Sequence, residues 1–118
     1  MELTIKHTSR VIYATLPDGS KAFIRYSVEN GVMNLEETYT PPQHRGKGIA
    51  GKLMEYALSL AEKKNWLVKP ICSYSIYYFI KHPEKRYLVI PEYRNMSEEE
   101  WKKLFKERLE KEKEKNKQ

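Results

Sequence analysis

The sequence predicts an α/β domain of the α+β kind, with a mostly antiparallel sheet flanked by helices. Three observations carry this. The first forty residues alternate like half-buried strands and are divided by turn residues. A long segment of helical period follows, and then a short apolar strand, in the order a βαβ crossover uses. A capping signature near residue 97 opens a further amphipathic helix.

Arg10–Leu16 (RVIYATL) is β-branched and aromatic and reads as a strand. Pro17-Asp18-Gly19-Ser20 supplies a turn. Lys21–Glu29 places Ala22, Ile24, Tyr26 and Val28 on one parity, as a strand with one buried face does. Asn30-Gly31 is a strong hairpin signal, and Val32–Tyr39 is the returning strand, stopped by Pro41-Pro42. From Gly48 to Lys64, Ile49, Leu53, Tyr56, Ala57, Leu60 and Ala61 recur at helical spacing, and Asn65 suits the end. Trp66–Ile71 is a short strand, and Tyr74–Lys81 a helix ended before Pro83 by His82. Ser97 and Glu100 form a capping box. The helix it opens carries Trp101, Leu104, Phe105 and Leu109 on one stripe, which packs on its own domain or forms a dimer contact. Beyond Glu110 only Lys, Glu, Asn and Gln remain, and the chain is expected to fray.

Composition narrows the function classes. The 118 residues suit one domain, and 40% hydrophobic residues exclude a wholly disordered chain. No apolar run suits a membrane span, and no signal peptide opens the chain. The single cysteine, Cys72, excludes an internal disulfide, and the three histidines make no zinc spacing with it. A cytoplasmic address without a resident metal is the expectation. The net charge is +6, and residues 1–96 carry fourteen basic and nine acidic side chains, so the excess belongs to the globular part. That field attracts nucleic acid, an acidic protein or a phosphorylated ligand. The chain has no RNP-type aromatic motif and no zinc finger, which argues against nucleic acid.

The most informative stretch is Pro41–Leu53, PPQHRGKGIAGKL. Gly46, Gly48 and Gly51 lie at the mouth of the main helix, among Arg45, Lys47 and Lys52. The first amides of a helix lack partners and carry partial positive charge, so this is a place for an anion such as phosphate. Gly46–Gly51 matches the dinucleotide fingerprint, but no Asp or Glu occurs from Lys63 to Pro83 to hold a ribose. Gly46–Lys52 nearly matches a P-loop, but Leu53 stands where the magnesium-binding hydroxyl belongs.

Gln43-His44-Arg45-Gly46-Lys47-Gly48 does match Q/R-x-x-G-x-G/A, and so resembles the coenzyme A pyrophosphate motif of GNAT-type acetyltransferases. Thr38 and the prolines before the loop, Pro70-Ile71-Cys72-Ser73-Tyr74, Tyr77 and His82-Pro83-Glu84 resemble the small single-domain GNAT proteins of the YidJ-like group. The likeness covers roughly residues 3–90. It implies a minimal acetyltransferase domain over residues 1–95, with 96–118 as an amphipathic helix and charged, frayed tail. It also implies a mixed sheet in which two parallel neighbours, Val32–Tyr39 and Leu67–Ile71, splay apart around the pantetheine arm. Thr38, Gln43, Arg45, Gly46, Lys47, Gly48, Ile49, Ala50 and Gly51 are the implied cofactor-binding residues.

The implied reaction is acetyl-CoA-dependent N-acetylation, by a monomer or homodimer that touches no membrane. The acceptor stays open among a protein lysine, an N-terminal amine, a polyamine and a small metabolite. Glu36 or Glu37 is a candidate base. Tyr74 or Tyr77 is a candidate donor to the leaving thiolate, with Tyr77 the residue assigned. Cys72, between a strand and a helix, is either a covalent acetyl acceptor or a wall of the pocket. His44 is expected to face solvent or phosphate, and His7 has no visible role. Two further readings are a coenzyme A binding module without efficient turnover and a basic interaction protein.

Overall fold

A computed structural model describes residues 2–115. Five strands form one sheet in the order β1-β2-β3-β4-β5: Ile5–His7, Val11–Thr15, Lys21–Glu29, Val32–Tyr39 and Leu67–Pro70. The first four are antiparallel neighbours, and β5 joins β4 in parallel. Helix α1, Ile49–Lys64, provides the crossover between them. Helix α2 is Ser73–Lys81, α3 is the short Pro91–Arg94, and α4 is Glu98–Lys115.

The local signals explain these boundaries. Asn30 and Gly31 both have positive φ, at 50° and 76°, as a two-residue hairpin turn of the favoured hand needs. Asn65 ends α1 in the left-handed conformation, its amide reaching the Ala61 and Glu62 carbonyls. Ser97 and Glu100 make the reciprocal bonds of a capping box, at 3.0 and 3.1 Å. The short β1 carries no strong pattern of its own and forms by pairing with β2.

The core lies between one sheet face and the helices. Ile12, Ala14, Ala22, Ile24, Met33, Leu35 and Val68 from the strands meet Leu53, Met54, Ala57 and Ala61 of α1. On β3 the expected parity holds through Tyr26, whereas Val28, beside the hairpin, is exposed. Trp101 anchors α4: it is fully buried between Phe79 and Tyr93, with the Arg86 guanidinium 5.0 Å over its ring. The stripe on α4 therefore packs on its own domain. The fraying expected beyond Glu110 does not begin there, because α4 continues to Lys115. Glu112 accepts bonds from the Ser73 amide (2.9 Å) and hydroxyl, and Arg108 donates to the Ile71 carbonyl. These long-range ties hold the last turns. The rest of the expected frayed tail, 116–118, lies outside the described residues.

Candidate active site

The parallel pair is zipped at one end only. β4 and β5 are in register from Val32↔Leu67 to Leu35↔Pro70, and there the ladder stops. The amides of Ile71 and Cys72 both turn onto the Leu35 carbonyl at 3.0 Å, and the chain leaves into α2. Glu36–Tyr39 continues with no strand opposite on that side, so a slot opens between β4 and the head of α2.

A bulge sits where the slot begins. Arg25 pairs with Glu37 and Tyr26 with Leu35, so Glu36 is the extra residue of β4. Parity resets there. Asn34, Glu36 and Glu37 share the face away from α1: the Ser27 hydroxyl donates to Glu36 at 3.0 Å, and Arg25 pairs with Glu37 at 2.9 Å. Thr38 falls on the opposite face, and its hydroxyl lies 3.4 Å from Cys72 Sγ. An unbroken alternation would have exchanged Glu37 and Thr38.

At the far end of the slot is the glycine loop. Gly46 and Gly48 have φ of 81° and 77°, conformations that cost a residue with a Cβ about 1–2 kcal/mol. Gly48 is the N-cap of α1, and no side chain caps the helix. Among the described residues, the amides of Gly46, Lys47, Gly48, Ile49, Ala50 and Gly51 have no hydrogen-bond acceptor. All of these residues but Lys47 border a cavity of about 430 Å3 lined also by Thr38, His44, Arg45 and Tyr74. A Cβ on Gly51 would lie 3.9 Å from the Tyr74 hydroxyl, so the loop and the head of α2 approach closely. Donors without acceptors, at the positive end of a sixteen-residue helix, form an anion cradle.

The loop is braced from behind. His44 is buried, so it does not face open solvent, and it borders the glycine-loop cavity. Lys47 Nζ lies 3.2 Å from His44 Nδ1, and His44 Nε2 lies 2.9 Å from Asp18 Oδ2. An ammonium has only protons to give, so Nδ1 accepts and Nε2 donates to Asp18. Gln43 donates to the same carboxylate at 3.1 Å. Bonds from Ser20 above all, then from Gln43 and His44, hold the Asp18 carboxyl well below the usual carboxylate range. Gln43 and Lys47, expected at the cofactor, thus point to the brace and do not line the cavity. Residues from the β2–β3 turn and the loop meet here across 26 positions, a pairing no local pattern announces.

On the other side of Thr38 and Tyr74 lies a second cavity, about 330 Å3, bordered by Glu36, Glu37, Cys72, Ser73 and Glu112. Cys72 is the N-cap of α2 and is 6% exposed, with its Sγ 3.3 Å from the Ser75 hydroxyl. Its partners are hydroxyls; among the described residues no imidazole or carboxylate bonds to it. Tyr74 borders both cavities, and burial raises its pKa. The phenol is therefore protonated at neutral pH, a donor. Tyr77 borders neither cavity: it is 41% exposed, packed against Tyr74 and Phe105 at ring distances of 6.4 and 5.8 Å. His7, without a visible role in the sequence, lies 2.5 Å from the Tyr56 hydroxyl at the back of α1. Among the described residues no group of three or more His, Cys, Asp or Glu is arranged to hold a metal. Nor, among the described residues, is any helix long and apolar enough to cross a membrane.

Comparison with known proteins agrees with this geometry. The family model of the GCN5-related N-acetyl-transferase matches residues 12–88. A GCN5-like protein from Staphylococcus aureus, solved in solution by NMR, superposes with a TM-score of 0.58 at 22% identity. The match covers 75% of this chain and 88% of that one, and at this identity it speaks to the fold. No curated protein matches the chain.

Proposed function

This chain belongs to the GCN5-related N-acetyltransferase family, and we propose that it moves the acetyl group of acetyl-CoA to a primary amine. One observation carries the reading. A run of amides without acceptors, Gly46–Gly51, borders a cavity that leads along the unpaired edge of β4. A diphosphate suits those amides, and the slot suits a long thin thioester arm. Acetyl-CoA, when bound, supplies an activated acyl group.

The chain's own residues divide the remaining work. The amides from Gly46 to Gly51 hold the diphosphate, and the His44–Asp18 brace keeps the loop in shape. Thr38 borders the path from loop to slot. Glu36, set on the acceptor face by the bulge, accepts the proton of the incoming amine. Tyr74, kept protonated by burial, donates to the departing thiolate. Tyr77 acts only through its packing on Tyr74. Cys72 shapes the slot and is not acetylated, because the hydroxyls of Thr38 and Ser75 that surround it cannot remove its proton as a base would.

The test is steady-state release of thiol from acetyl-CoA with a panel of primary amines, with product masses read in parallel. Thiol release that saturates with amine, and acetylated amine as product, is expected. Tight coenzyme A binding with no release for any amine would reduce the protein to a binding module. No affinity for acetyl-CoA at millimolar concentration would remove the reading altogether.

A further inference from the structure

The family match ends at Leu88, yet much of the wall beside Cys72 comes from α4, beyond it. Arg108, Lys111, Glu112 and Lys115 follow one another at helical spacings of three, one and three, which places them on one face. That face continues the apolar stripe begun by Trp101 and turns towards the site. Two of the four are fasteners: Glu112 caps α2 through Ser73, and Arg108 donates to the Ile71 carbonyl at the end of β5. The other two, Lys111 and Lys115, are thereby held at a third cavity, about 400 Å3, which Lys69 of β5 also lines.

Charges of both signs meet in this region. Glu36, Glu37 and Glu112 border the second cavity, and Glu37 is neutralised by Arg25 at 2.9 Å. Glu112 is turned onto Ser73. Among the described residues Glu36 receives only the Ser27 hydroxyl and stays available to a cation. Around the third cavity stand Lys69, Lys111 and Lys115, the last bordering the second cavity too, and none of the three has a carboxylate partner among the described residues. The second and third cavities share Glu36, Cys72, Glu112 and Lys115, so the cationic and anionic sites lie within one small molecule's length.

We propose that the last turns of α4 complete the acceptor site, and that this site selects an amine carrying an anionic group, carboxylate or phosphate, a few bonds from the reacting nitrogen. The inference rests on the acetyl-transfer reading above and names its acceptor class. The nitrogen goes to Glu36, and the anion goes to Lys69, Lys111 and Lys115. A polyamine meets the lysines with the wrong sign, and a neutral amine leaves them without a counterion.

The experiment compares ethanolamine, β-alanine, phosphoethanolamine and putrescine as acceptors for the native chain and for Lys69→Glu and Lys111→Glu. The expected result is a kcat/KM for the anionic pair at least about tenfold above the other two. Each charge reversal should erase that preference and leave acetyl-CoA affinity by calorimetry unchanged, since the lysines do not border the glycine-loop cavity. Phosphoethanolamine ahead of β-alanine identifies phosphate as the anion, and the reverse order identifies carboxylate. Preference for putrescine or ethanolamine, or a preference untouched by both reversals, overturns the proposal. If acetyl-CoA binds but no amine is acetylated, calorimetric titration of β-alanine and phosphoethanolamine into the coenzyme-A-loaded protein decides. Binding lost in Lys111→Glu upholds the anion site and removes the transfer reading; no binding removes the site. If acetyl-CoA itself does not bind, the cofactor reading fails, and the same titration of the free protein still judges the lysines.

Discussion

The two ends of the slot are made of different material. At the glycine loop the groups proposed to hold the ligand are backbone amides, presented because two glycines adopt positive φ and no side chain caps the helix. At the acceptor end they are side chains, Glu36, Cys72, Tyr74 and the stripe on α4, set in place by a bulge and by contacts distant in sequence. Backbone sites are damaged by changes in conformation and are indifferent to most changes of side-chain chemistry. Side-chain sites behave the other way. The contrast predicts which substitutions alter affinity for acetyl-CoA and which alter turnover.

The largest effect is expected at the acceptor end. Glu36→Gln keeps the shape and removes the basic oxygen, so kcat/KM for the amine should fall about 10²–10⁴-fold with acetyl-CoA affinity retained. A parallel loss of both would make Glu36 a structural residue of the bulge and blur the contrast. Next comes the loop. Gly48→Val forces a β-branched residue into φ near 77°, and the mouth of α1 must rearrange. Loss of one amide bond to a charged ligand, worth about 1.5–3 kcal/mol, weakens acetyl-CoA binding about 10- to 150-fold. Calorimetry reads this directly, and circular dichroism verifies that the fold persists.

Cys72→Ala separates two chemistries at one atom. As a wall residue it should cost a few-fold in turnover and leave coenzyme A binding intact. A covalent role would abolish transfer, and mass spectrometry would find an acetylated native chain. The smallest effect belongs to Asp18, which touches no proposed substrate. Its carboxyl titrates below the usual range in the folded chain, so its stabilisation is complete above that range and fades as pH falls towards the folded pKa. The gap in melting temperature between the native chain and Asp18→Asn should therefore be widest near neutrality and narrow below about pH 4. A gap that grows in acid would mean that the brace contributes nothing as an anion.

The same contrast explains what was legible in the sequence. The glycine loop, the Asn30-Gly31 hairpin, the Asn65 cap and the Ser97–Glu100 box are local codes, where a residue type and its immediate neighbours dictate a backbone conformation. The bulge is different. It exists only in the register between β3 and β4, and nothing in NLEETY announces that Glu36 rather than Asn34 will be the extra residue. The rotation of α2 that brings Tyr74 to the slot and leaves Tyr77 outside depends on how α2 sits against α4. The bond from Glu112 to Ser73 spans 39 positions, and the composition KEKEK taken alone describes a solvated tail. Side-chain sites built from distant elements escape local reading for this reason, and backbone sites do not.

The central claim is that the amides of Gly46–Gly51 are donors waiting for a diphosphate. The most direct measurement is a backbone amide NMR titration of the whole chain with coenzyme A. The account predicts large shifts confined to residues 45–51 and the slot-lining stretch near Thr38, with the turn glycines Gly19 and Gly31 unmoved. Saturable binding that leaves the 45–51 amides unperturbed would contradict it.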